Sequence, residues 1–107
     1  MPKTKVVNIK NGDQFDVYIG RPGNGHDGYF GNPFTTPPHT RNKSIQLFEQ
    51  YALDRINSDP EYKQKVKELY GKTLGCFCKP KACHGDVLVK LTKQINMEYS
   101  VFDNHDK

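Results

Sequence analysis

All three cysteines of the chain and one of its four histidines fall within residues 75–86, GCFCKPKACHGD. Three sulfurs and an imidazole, from Cys76, Cys78, Cys83 and His84, make up a Cys₃His zinc set. The spacing speaks against that use. C-x-C-x₄-C-H lacks the two-residue knuckle, and adjacent Cys83 and His84 would both have to reach one ion. No zinc or other cofactor is therefore expected, with a zinc-stapled domain as the alternative. Cys76 and Cys78 stand two apart in a short apolar stretch, so in a strand they share a face about 6.5–7 Å apart. That is too far for an easy disulfide, and Cys76 reads as a small core residue.

Cys83 and His84 suit a different chemistry, because they open a helix. Free N–H groups and the positive dipole end there attract anions and favour a reactive thiol. Cys83 is a candidate nucleophile and His84 a candidate proton-transfer group. Neighbours at a helix start point about 100° apart, so anion binding rather than a Cys–His dyad is the expectation. Lys79 and Arg21 would assist the anion, with Cys78 on the same side. Gly85 would let a ligand approach the backbone, and Asp86 would either face that ligand or cap the first turn.

The elements that must position these groups follow from periodicity. KVVNIK (5–10) is β-branched and reads as a strand, followed by the turn dipeptide Asn11-Gly12. FDVYIG (15–20) places Phe15, Val17 and Ile19 on one face of a second strand. Residues 21–40 are rich in glycine and proline without periodicity, and a loop of that length in a small domain is often functional. It carries Arg21, Asn32 and, just beyond it, Arg41. Ile45, Phe48, Ala52 and Ile56 mark a helix over 42–57. SDPE (58–61) reads as a capping box with Ser58 as N-cap. Tyr62, Val66, Leu69 and Tyr70 form the buried stripe of the next helix, which Gly71 ends. TLGCFC (73–78) is a strand, and Val87, Leu88, Leu91 and Ile95 mark a third helix from about Cys83, with residues 97–107 as a tail.

This order predicts a single α/β domain, a small sandwich with a short, mostly parallel sheet flanked by about three helices. In such sheets ligands bind beyond the carboxyl ends of the strands. Gly20-Arg21 leaves one strand there and Cys78-Lys79 the other, so the long loop and the cysteine cluster should share one edge.

Length and charge bound the rest. At 107 residues there is room for one core. The net charge of +4 favours anionic partners, but no basic block marks a nucleic-acid interface. No segment is apolar enough to span a bilayer and the N-terminus lacks a signal-peptide core. A cytoplasmic protein with reduced thiols is expected.

DVYIGRP, GNPF (31–34) and GKTLGCFCKPKACHGDVL (71–88) together resemble a small family of phages and bacteria, domain of unknown function 4326, over about residues 15–95. Phe77 stands where that family usually has tryptophan between the cysteines. The resemblance implies that Gly20, Arg21, Gly31, Asn32, Pro33, Phe34, Arg41, Cys76, Cys78, Cys83, His84 and Asp86 belong to a shared core, but it supplies no reaction. GNPF itself has two readings, a ligand-facing segment or a turn in which Pro33 holds Asn32 extended and Phe34 plugs the core. The combined expectation is a domain that binds a nucleotide-like or other phosphorylated small molecule, as a transferase or hydrolase if it acts on it. The alternative is a non-enzymatic phage protein that contacts a host protein, zinc-stabilised if the Cys/His cluster is a metal set.

Overall fold

The two β-branched runs and the TLGC segment pair as expected for an α/β chain. In a computed structural model, which describes residues 3–105 except 22, 24, 26, 35–37 and 78–82 and side chains through Met97, they form one parallel sheet. Its strands are β1 (Lys5–Asn8), β2 (Val17–Tyr18) and β3 (Thr73–Cys76), in the order β1-β3-β2. The register sets Val6 and Val17 on either side of Leu74, and Val7 and Tyr18 on either side of Gly75.

Those two rows face different neighbours, because side chains alternate along a strand. Leu74 and Cys76 are buried in a core shared with Ile19, Phe48, Leu88 and Leu91. The opposite face is covered by the chain that links β1 to β2. A 3₁₀ turn at Ile9–Asn11 closes on Gly12 in the left-handed region (φ 81°), and Ile9 and Phe15 then lie over Gly75. A Cβ on Gly75 would stand 2.7 Å from Phe15 Cγ and 3.0 Å from Ile9 Cδ1. Phe15 therefore does not share a face with Ile19, which corrects the simple alternation expected over 15–20. The strand is only two residues long because Asp16 is tied across to Thr73: its N–H donates to the Thr73 carbonyl at 2.8 Å and its carboxylate accepts the Thr73 N–H at 2.8 Å.

Three helices pack on one another and on the Leu74 face: α1 (Arg41–Ser58), α2 (Pro60–Lys67) and α3 (His84–His105). Phe48 and Ala52 of α1 are fully buried, as are Tyr62 and Val66 of α2. The N-cap of α2 is Asp59 rather than Ser58. Its Oδ1 accepts from the N–H groups of Glu61 and Tyr62 at 3.1 and 3.2 Å, and Arg55 holds its other oxygen at 3.1 Å. Ser58 remains in α1 and donates its hydroxyl to the Asp54 carbonyl. Because α2 stops at Lys67, Tyr70 leaves the stripe and is exposed, whereas Leu69 stays in the core. The third helix begins one residue after Cys83 and runs on through the segment expected to be a tail. No helix among the described residues is long and apolar enough to cross a membrane.

Candidate functional site

Parallel strands leave their carboxyl ends on one edge, and here α1 and α3 both begin at that edge. A cleft of about 390 Å³ opens between the end of β2, the end of β3 and the two helix starts, a size typical of small-molecule sites. Its most buried lining is Cys76, Cys83, Ser44 and His84; its exposed lining includes Arg21, Arg41 and Phe77. The described lining holds two arginines and no carboxylate.

Backbone contacts explain how a loop rich in glycine holds such a shape. The Tyr18 hydroxyl folds back to donate to the Arg21 carbonyl at 2.9 Å. A Cβ on Gly20 would stand 2.4 Å from that hydroxyl oxygen. Gly31 presses against the same strand end, where its Cβ would meet the Gly20 and Gly28 carbonyl oxygens at 2.9 and 3.1 Å. The next residues are fastened to α1. Asn32 Oδ1 accepts the Phe34 N–H at 2.9 Å, Asn32 Nδ2 donates to Ser44 Oγ at 2.8 Å, and Ser44 Oγ donates to the Phe34 carbonyl. Asn32 thus borders the cleft while its amide organises the loop. Thr40 caps α1 by accepting the Lys43 N–H, which leaves Arg41 as the first helical residue, on the cleft.

At the other helix start, Asp86 turns back so that its carboxylate accepts the Cys83 N–H at 3.2 Å. Asp86 therefore caps the first turn, the second of its two expected roles. Gly85 is buried against the sheet, where a Cβ would meet Ile19 Cδ1 at 2.8 Å and Val6 Cγ2 at 3.0 Å. Its missing side chain lets α3 approach β1 and the end of β2, rather than a ligand approach the helix. Neither residue lines the cleft. Gly20, Arg21, Asn32, Arg41, Cys83 and His84 do, while Cys78 and Lys79 lie outside the described residues.

A family model described as domain of unknown function (DUF4326) matches residues 4–94. The chain belongs to this family. It is also 37% identical over 92 residues to a phage T4 protein, the "Uncharacterized 12.4 kDa protein in nrdA-td intergenic region", covering 85% of this chain and 79% of the relative. No solved structure matches.

In this DUF4326 chain the motif residues divide into scaffold and lining. His84 is the clearest scaffold group among the candidates. Its Nε2–H donates to the Ile19 carbonyl at 2.7 Å, and its ring meets Phe48 edge-on at a centroid distance of 5.0 Å. Burial holds its pKa below the ordinary histidine value; the carbonyls of Ile19 and Phe30 oppose that shift, and the Arg21 charge adds to it. A neutral imidazole fixed in this way ties the end of β2 and the glycine loop to α3. Among the described residues, the sulfur neighbour of Cys83 is Cys76, with Sγ atoms 3.6 Å apart. That contact was not legible in the cysteine spacing, nor were Tyr18, Phe77 and Ser44 as lining. Ser44 alone left a signal, as a polar residue one position before Ile45 on the apolar stripe.

Proposed function

We propose that this domain binds a phosphorylated small molecule of nucleotide-like shape in the cleft at the carboxyl edge of the sheet. The observation that carries the reading is the charge of the lining. Arg21 and Arg41 converge on a cleft with no carboxylate among its described residues, where two helices also begin. Guanidinium forks suit phosphate oxygens, and helix amino ends reinforce negative charge. Tyr18 and Phe77, edge-on at 6.2 Å, offer aromatic surface of the kind on which bases stack. The protein so read works in the host cytoplasm, with reduced thiols and no resident zinc.

A thermal-shift screen with nucleotides, sugar phosphates and inorganic anions tests it. A ligand at a hundredfold excess over its Kd adds about 2.7 kcal/mol, so at least one compound should raise Tm by on the order of 10 °C. If none does, the cleft is structural, and the non-enzymatic reading, a phage protein that contacts a host protein, takes its place.

A further inference from the structure

We propose that Cys76 and Cys83 are a reversible dithiol–disulfide pair, oxidised by a small-molecule disulfide that enters through the cleft. Cys76 ends β3 and Cys83 immediately precedes α3. Their sulfurs are already in contact at 3.6 Å, both side chains are buried, and both line the cleft. Buried cysteines packed singly in a core are inert; these two have a thiol partner within reach and an opening toward solvent. A disulfide would bring these sulfurs from 3.6 Å to about 2.05 Å.

The chemistry balances with oxidised glutathione as the co-reactant. The Cys83 thiolate attacks one glutathione sulfur and expels a glutathione thiolate, leaving a mixed disulfide. The Cys76 thiolate then attacks the Cys83 sulfur and expels the second. Two protein thiols lose two electrons and two protons, and one glutathione disulfide becomes two thiols. In a reducing compartment such a bond is transient and responds to redox state, rather than serving as a permanent staple. The product would join the end of β3 to the start of α3 along the most buried part of the cleft.

The test uses the untagged full chain without any cleft ligand, so its outcome is independent of the function proposed above. The protein is equilibrated in glutathione buffers from reducing to oxidising, quenched in acid, alkylated and mapped by mass spectrometry. Cys76 and Cys78 share one tryptic peptide, so fragmentation assigns the linked sulfur. The expected result is joint, reversible loss of two of the three thiols, a Cys76–Cys83 link, and Cys78 fully alkylated. Cys78→Ser should oxidise in the same way, which separates the pair from any role of the third cysteine. A link through Cys78, a glutathione adduct that never resolves, or three thiols that stay reduced would each overturn the proposal.

Discussion

Tyr62 is among the largest fully buried side chains, and its hydroxyl has no hydrogen-bond partner among the described residues. The ring is held by the Arg55 guanidinium 4.1 Å from its centroid, so the phenol contributes through its face rather than its oxygen. Tyr62→Phe should therefore raise stability by about 1 kcal/mol, since an unsatisfied buried hydroxyl is removed and the packing kept. Chemical denaturation of the two proteins measures this. Burial also pushes the Tyr62 pKa up to about 12 from 10.0. The folded state then holds its proton more tightly, and that contribution is lost as pH rises from 10.0 toward 12. His84 has the opposite sense. Its folded pKa lies below the ordinary 6.5, so the unfolded chain binds the extra proton first. The stability is complete above pH 6.5 and falls as the solution is acidified through the folded value. Tm measured from neutral pH downward should decline less steeply in His84→Gln than in the wild type. Parallel curves would mean that the imidazole does not couple folding to protons.

At the scale of elements, the glycines decide how closely the parts meet. Gly31 is the sharpest case, because the atoms its Cβ would strike are backbone carbonyl oxygens of Gly20 and Gly28 that cannot rotate away. Gly31→Ala should cost about 1–3 kcal/mol by overpacking. It should also move the Arg21 strand end and weaken any cleft ligand, so urea unfolding and a binding assay should both respond. Gly85 explains why part of the site was illegible. A helix-opening CHG motif leaves the direction of the missing side chain undetermined, and only the packing of α3 on Val6 and Ile19 turns it inward. The Cys76–Cys83 contact was hidden for a related reason, since it depends on how the start of α3 is seated against the end of β3. What could be read from the chain was the local elements and the parallel pairing of the strands. The 3,4,4 spacing from Ile45 located α1, and the Cys-rich strand located β3. Ser58 was misassigned because Asp59, beside it, accepts two N–H groups and is also held by Arg55.

Taken as a whole, the molecule is a parallel sheet whose helical layer covers one face, with a cleft where the strands end and two helices begin. Parallel topology and strand order were enough to bring the IGR and CH segments to one edge from opposite ends of the sequence. The central claim is that a phosphorylated ligand occupies that edge, held by Arg21. The most direct measurement follows backbone amide signals by NMR as a nucleoside monophosphate is added to the wild type and to Arg21→Ala. The account predicts saturable shifts concentrated at Gly20, Arg21, Asn32, Phe77, Cys83 and His84. In Arg21→Ala affinity should be about tenfold to a hundredfold weaker, the loss of one charge-assisted contact, with the ligand-free fold unchanged because the side chain is exposed. Shifts spread over surface lysines, or an affinity that Arg21→Ala leaves intact, would contradict it.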